Sequence, residues 1–221
     1  MKLSVVIPCY NEEDNIARAI FDVKKHFPKS ELIIINDASK DKTMSILRFV
    51  RKVTKFTIIN NKKNLGHGAS VIKGLKYAKG DYVLYIDADR QISLDHFVMY
   101  KNIPFVSGCR IHRQDKLFRK IISFCLKTTN LFRHGYYIKD ANCPFKIYKR
   151  KELQIILKEV PKTYIIPIAC IEVLARKHGF RTKTILTPHK KYDAVRKGML
   201  QSINRKSLIF FYDAFMEICK I

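Results

Sequence analysis

Acidic residues are scarce in this 221-residue chain, where nineteen Asp and Glu stand against forty-three Lys and Arg for a formal net charge of +24. The imbalance raises the concentration of anionic partners around the molecule, and three classes fit: nucleic acid, an anionic membrane face or a phosphorylated substrate. Paired cysteine spacings are missing as well. Cys9, Cys109, Cys125, Cys143, Cys170 and Cys219 are scattered, form no C-x-x-C, and mostly sit in apolar runs. They read as small core residues in a reducing compartment, not as zinc ligands or disulfides. Apolar runs long enough to span a bilayer are also lacking, and only Lys2 precedes the short run that ends at Pro8. Neither a signal peptide nor a spanning helix is therefore expected, and the cytoplasm is the default location. No repeat period or low-complexity linker appears. A nucleic-acid-binding module would need a basic face with exposed aromatics or a recognition helix, and no such motif is found, so nucleic acid is not an expected partner.

With 47% hydrophobic residues, the chain can bury one substantial core. One domain over residues 1–200 is expected. Residues 201–221 would add an amphipathic helix that belongs to the same domain or touches a membrane. "KLSVVIP" reads as a strand buried on both faces, and Ile16, Ala19, Ile20, Val23 and Phe27 recur at helical spacing behind it. The alternation repeats: "ELIIIND", "FTIIN" and "DYVLYID" as strands, "DKTMSILRFVRKV" and "GASVIKGLKYAKG" as helices, the latter with Gly80 at its C-cap. Such a pattern predicts an α/β fold, a mostly parallel sheet with helices on both faces. Later segments read as strands at "IPFVSGCR", "CPFKIYK" and "RTKTILT", with helices over 115–135, 167–179 and roughly 200–219. Ligands of such sheets gather beyond the carboxyl ends of the strands. The polar stretches "PCYNEE", "NDASKD", "NNKKNLGHG" and "DADRQ" all fall there.

"YVLYIDADRQI" drives an apolar strand into Asp87 and Asp89, with Gln91 two residues on. Carboxylates this close repel one another, and keeping both ionised requires a cation or hydrogen-bond donors. A hard divalent ion, Mg²⁺ or Mn²⁺, is the simplest compensation, because such ions bind one or two carboxylates together with substrate phosphates. The alternative is ordinary capping, with Asp87 closing the strand and Asp89 starting a helix.

Taken together, "VVIPCYNEEDNI", "IIINDASKDKT", "NLGHGASVIKGL" and "YVLYIDADRQ" resemble the family 2 glycosyltransferases of the GT-A (Rossmann-like) fold. The nearest likeness is to the dolichyl- or polyprenyl-phosphate sugar synthases, whose metal motif has the form D-A-D-x-Q. Fainter matches at "VSGCR", "IKDANCPFKIYKR" and "RTKTILTPHKKYDAVRKG" carry the likeness to about residue 200. The resemblance implies that Pro8, Tyr10 and Glu12 line the pocket for the donor's base and ribose, with Asp37 on the base. Asp87 would lie near the sugar and ribose, and with Asp89 and Gln91 form the metal site. Arg110 and Arg196 would serve the leaving diphosphate or an acceptor phosphate, as would Lys146. Asp140 matches the residue that orients or deprotonates the acceptor.

Three departures from the family pattern stand out: Arg90 replaces an apolar residue, Pro144 and Lys146 replace Gly and Arg, and His67 replaces a basic residue. Without identified acidic partners, His67 reads as a surface residue. The expected activity is an inverting, metal-dependent transfer of a sugar from a nucleoside-diphosphate sugar to a lipid (polyprenyl) phosphate, at the cytoplasmic membrane face. A glycan, lipid or protein hydroxyl is the alternative acceptor, and Asp140 would then have to act as a base. Apolar and aromatic residues mixed with Lys and Arg in the helix over 115–134, and in "SLIFFYDAFMEICKI", suit an anionic membrane surface or the core.

Overall fold

The computed structural model describes residues 1–95, 97–111, 124, 127–129, 131–188 and 205–221. Seven strands form one sheet: β1 (Leu3–Cys9), β2 (Glu31–Asn36), β3 (Thr57–Asn60), β4 (Tyr82–Ile86), β5 (Phe105–Ile111), β6 (Phe145–Lys149) and β7 (Thr182–Pro188). Their order is β3-β2-β1-β4-β6-β5-β7. Only β6 runs against the others, pairing antiparallel with both β4 and β5. Among the described residues the helices are α1 (Ile16–His26), α2 (Thr43–Val50), α3 (His67–Tyr77), α4 (Arg150–Ile156), α5 (Pro167–Lys177) and α6 (Arg205–Lys220). The α/β architecture expected from the alternation is present. Most of the helix expected over 115–135 falls outside the described residues.

Side-chain alternation sorts each strand between two cores. Val5, Ile7, Leu32, Ile34 and Leu84 pack toward α1 and α2. Val6, Ile33, Ile35, Val83 and Tyr85 pack toward α3, α4 and α5. Beyond β4, among the described residues, irregular backbone over 91–95 and 97–104 lays Ile92, Leu94, Phe97, Met99, Tyr100 and Ile103 on the first face. This segment removes the capping alternative for Asp89, since no helix starts there.

Gly80 does not cap α3, whose C-cap is Ala78. A Cβ on Gly80 would come within 2.7 Å of the Ser4 nitrogen, so the glycine serves close approach of the chain to β1. The C-terminal helix α6 answers in part the choice between core and membrane. Ala214 is buried, and Glu217 accepts hydrogen bonds from the Ile165 and Ile166 nitrogens at 2.7 and 3.2 Å, ahead of α5. Ile209, Tyr212 and Phe215 remain exposed.

Lys146 has no access to a substrate phosphate. It is 0% exposed, and its Nζ donates to Glu172 Oε2 at 2.6 Å, an oxygen that also accepts from Ser107 Oγ at 2.7 Å. The expectation that Lys146 serves a diphosphate is therefore corrected: its charge neutralises a carboxylate of α5 beneath the sheet. Lys146→Met, which leaves Glu172 buried with only the longer contact to Arg176 at 3.5 Å, is expected to cost about 3 kcal/mol in urea unfolding. A loss below about 1 kcal/mol would show that the pair is not buried as described.

Candidate active site

At the carboxyl rim of the sheet, β1 and β4 part company. Their register ends at Val6↔Tyr85, and two residues further along the chain stand Pro8, still on β1, and Asp87, just past the end of β4. Proline cannot donate to a ladder, so its place beyond the last pair leaves the strands free to diverge. The loops after β1 and β2 are laced to one another. Asn11 N donates to Ser39 Oγ at 3.0 Å, Lys40 N to Asn11 Oδ1 at 2.8 Å, and Glu12 N to Thr43 Oγ1 at 2.7 Å. Asp41 Oδ1 accepts from Thr43 N at 3.0 Å and so ties the approach to α2 to its first residue.

Three non-glycine residues among those described hold left-handed backbone: Asn11 at φ 53°, Ala38 at φ 57° and Arg90 at φ 59°. All three lie in loops at the carboxyl ends of strands. Such conformations are costly for side-chain-bearing residues and cluster where geometry is imposed by its surroundings. At Arg90 the surroundings are visible, because its Nε reaches Asp22 Oδ2 on α1 at 2.6 Å. The arginine that replaces an apolar residue thus fastens the D-A-D-x-Q loop to α1. A second fastening joins His26 Nε2 to Asp95 Oδ1 at 2.9 Å. Between α1 and this loop lies a cleft of about 230 Å³ whose lining includes Asp22, His26, Asp87, Asp89 and Arg90.

Asp87 and Asp89 meet the repulsion that their spacing implies. Burial, and then the charge of Asp87, push the Asp89 carboxyl up to about 7, with Glu12 adding to the effect and Arg110 opposing it. Glu12, Asp87, Asp89 and Arg110 therefore share one electrostatic neighbourhood. Gln91 N donates to Asp89 Oδ1 at 3.2 Å, and Tyr85 donates its hydroxyl proton to Asp87 Oδ1 at 2.6 Å. Among the described residues no three His, Cys, Asp or Glu side chains form a self-sufficient metal site. The donor set is hard oxygen, few in number and short of positive charge. It fits Mg²⁺ or Mn²⁺, which take part of their coordination from substrate phosphates.

Arg110 and Asp140 come together across thirty residues of sequence. Arg110 Nε and Nη2 donate to Asp140 Oδ2 and Oδ1 at 2.8 and 2.9 Å, and Arg110 N donates to Oδ2 at 3.2 Å. The pair is nearly buried, with side-chain exposures of 14% and 5%. Asp37 lies under the rim, 3% exposed. Its Oδ1 accepts from Asn61 Nδ2 at 2.7 Å and Leu65 N at 2.9 Å, and its Oδ2 from Gly66 N at 2.9 Å. In this structure Asp37 holds the turn before α3, and the expected contact with a base would have to share a carboxylate already engaged there. Tyr10 and Glu12 are partly exposed at the rim, and Pro8 is buried. Arg196 lies outside the described residues.

Two partners escaped sequence reasoning. His67 does have an acidic neighbour, Asp87, at 3.8 Å, and hydrogen-bonds Tyr85 at 3.1 Å. A signal for Tyr85 was present, since residues two apart on a strand share a face. For His67 there was none, because its partners lie eighteen and twenty residues away.

A family model described as glycosyl transferase family 2 matches residues 4–154. A dolichyl-phosphate beta-glucosyltransferase of Trichomonas vaginalis is 29% identical over 90% of this chain and 70% of its own length. An undecaprenyl-phosphate 4-deoxy-4-formamido-L-arabinose transferase of Pectobacterium atrosepticum is 31% identical over 91% of this chain and 64% of its own. Across such relatives the chain spans as little as 55% of the partner's length. In fold, glucosyl-3-phosphoglycerate synthase of Mycobacterium tuberculosis, solved with Mn²⁺, UDP and phosphoglyceric acid, superposes with a TM-score of 0.71 at 14% identity, covering 100% of this chain and 79% of that one. A mannosyltransferase of Pyrobaculum calidifontis, in complex with GDP-Man and Mn²⁺, gives a TM-score of 0.64 at 17% identity, covering 89% and 58%.

Because the Asp89 carboxyl is raised above its unfolded value, its ionisation destabilises the metal-free fold. The penalty is absent below about pH 4, grows as pH rises, and is complete above about pH 7. Asp89→Asn is therefore expected to raise the metal-free Tm by several degrees at pH 8, with the gain vanishing toward pH 4. Mn²⁺ should stabilise the native chain and not the variant. A metal-free Tm at pH 8 that is unchanged or lowered by the substitution would contradict the electrostatics described.

Proposed function

This chain belongs to glycosyl transferase family 2, and from that premise we propose that it carries a sugar from a nucleoside-diphosphate donor to a polyprenyl phosphate at the cytoplasmic face of a membrane. It is a glycosyltransferase related to polyprenyl-phosphate sugar transferases. The acceptor assignment rests on one observation, the engagement of both Asp140 oxygens by Arg110. A hydroxyl acceptor needs a base to take its proton, and Asp140 already accepts three hydrogen bonds from Arg110, which engage most of its roughly four acceptor sites and hold it against a cation. A phosphate acceptor is already an anion at neutral pH and needs no base. Asp140 then acts as a positioning residue for Arg110.

In the proposed reaction an acceptor phosphate oxygen attacks the anomeric carbon from the face opposite the leaving group. The bond from that carbon to the diphosphate oxygen breaks, the nucleoside diphosphate departs with the electron pair, and configuration inverts. Bound Mg²⁺ or Mn²⁺ would offset the negative charge that builds on the diphosphate. Asp89, with Asp87 and Gln91, would hold the ion; Arg110, and Arg196 from outside the described residues, would add positive charge to the same group. Pro8, Tyr10 and Glu12 would border the base and ribose.

Membrane contact would be peripheral. Among the described residues no helix is long and apolar enough to cross a membrane. Ile209, Tyr212 and Phe215, spaced three apart on α6, expose an apolar stripe opposite the docked Ala214 and Glu217. Phe132 is 86% exposed. These side chains, together with the charge of +24, suit an anionic bilayer surface. Residues 1–200 would then act as the catalytic domain, with 201–221 fastened to it by one face and turned to lipid by the other.

A thermal-shift panel of UDP, GDP and their common sugars with Mn²⁺ identifies the donor, and transfer of labelled sugar is then followed to polyprenyl phosphate or to glycan acceptors. Label is expected in the lipid phosphate, and turnover in Asp89→Ala is expected to fall at least about 100-fold with the fold intact. Label in the glycan alone would assign a hydroxyl acceptor and return Asp140 to the role of base. Undiminished turnover in Asp89→Ala would exclude the metal role of that residue.

A further inference from the structure

Asp87 is held by a relay of donors that starts outside the D-A-D-x-Q motif. Asp87 follows the last residue of β4, two positions after Tyr85, and Tyr85 is fully buried with its hydroxyl 2.6 Å from Asp87 Oδ1. A carboxylate can only accept, so the Tyr85 proton points at Asp87. The Tyr85 oxygen keeps lone pairs for a second donor, and His67 Nε2 lies 3.1 Å away. With the hydroxyl proton committed to Asp87, the bond between His67 and Tyr85 requires hydrogen on Nε2. The sense of the chain is thereby fixed: His67 donates to Tyr85, and Tyr85 donates to Asp87.

The aim of His67 is itself constrained. It is the first residue of α3, behind Gly66, which sits at φ 87°, a region that favours glycine. Gly66 N is held by Asp37 Oδ2 at 2.9 Å and Asn64 Oδ1 at 3.0 Å. Asp37 in turn is steadied by Asn61, whose Oδ1 takes a hydrogen bond from Lys73 Nζ at 2.6 Å. One set of hydrogen bonds thus holds the turn before α3 to the ends of β2 and β3, a second runs from His67 to Asp87, and the Gly66–His67 peptide joins the two.

We propose that Tyr85 and His67 are positioning residues for the diphosphate and metal site, fixing Oδ1 of Asp87 so that the rest of that carboxylate is presented in one orientation to the cation and donor. This rests on the reading of Asp87 and Asp89 as the cation-holding pair. Partners that orient a ligating carboxylate commonly change metal affinity 10–100-fold when removed. The hydrogen bond of His67 goes to Tyr85, and its 3.8 Å separation from Asp87 is beyond hydrogen-bond reach, so its part in the relay depends on the tyrosine hydroxyl.

The test measures Mn²⁺ affinity by electron paramagnetic resonance, with saturating UDP or GDP, whichever raises the native Tm. Tyr85→Phe keeps the buried ring and is expected to weaken Mn²⁺ binding about 10–100-fold. His67→Ala is expected to weaken it less. His67→Gln, whose amide nitrogen can stand in for Nε2, should restore near-native binding. The double variant His67→Ala/Tyr85→Phe should bind no worse than Tyr85→Phe alone, since both act on one relay. Nitrogen NMR of the metal-free protein should find His67 protonated on Nε2, with that preference lost in Tyr85→Phe. Native-like Mn²⁺ binding by Tyr85→Phe, alongside lost binding in Asp89→Asn, would overturn the relay and leave the cation site standing. Native-like binding by both variants would remove the cation site itself. Additive losses in the double variant, or a His67 protonated on Nδ1 alone, would also overturn the relay; the half-exposed position of His67 keeps the His67 variants and the nitrogen NMR of the native protein available if Tyr85→Phe folds poorly.

Discussion

Two carboxylates one residue apart at the end of a buried strand are the constraint around which this protein is arranged. Asp89 cannot ionise cheaply there: burial and the charge of Asp87 push its carboxyl up to about 7. The site is thus an electrostatic deficit waiting for positive charge, although the molecule as a whole carries +24. Nearby basic residues are largely engaged elsewhere: Arg110 with Asp140, Arg90 with Asp22, and Lys146 with Glu172 beneath the sheet. A dense population of lysine and arginine therefore does not fill the acidic site. On the proposed reading a small hard cation arriving with phosphate oxygens would fill the deficit, and metal affinity would then be linked to donor binding.

Holding such a site open requires a stiff rim. The three left-handed non-glycine residues, Asn11, Ala38 and Arg90, follow β1, β2 and β4, the strands that contribute most to the rim. Hydrogen bonds between the β1 and β2 loops, and the ion pair from Arg90 to α1, oppose relaxation of these backbones. Strain at the rim is offset below it, where both faces of the sheet are closed by apolar side chains and the buried Lys146–Glu172 pair ties β6 to α5.

The coupling of Arg110 to Asp140 separates donor chemistry from acceptor chemistry. Arg110 is close enough to temper the charge of Asp89, while its guanidinium occupies the one carboxylate that the family resemblance offers as a base. An acceptor that brings its own negative charge is compatible with that arrangement. An acceptor that must first lose a proton would need the pair to part.

How much of this was legible beforehand follows the reach of each interaction along the chain. The strand-helix alternation, the sheet class and the convergence of four polar loops at one rim follow from neighbours a few residues apart: Val5 and Ile7 facing one core and Val6 the other, or the helical spacing of Ile16, Ala19, Ile20 and Val23. Asp87, Asp89 and Gln91 were visible for the same reason, being contiguous. The direction of β6, the burial of Lys146, the Arg110–Asp140 pair and the His67–Tyr85–Asp87 relay were not. Each joins residues that only the folded sheet brings together, thirty positions apart for Arg110 and Asp140 and twenty-six for Lys146 and Glu172. Periodicity in a chain records which face a residue must bury, because burial acts on every residue separately; it carries no record of which distant charge will meet it, because that depends on β6 lying between β4 and β5 with α5 packed against the same core.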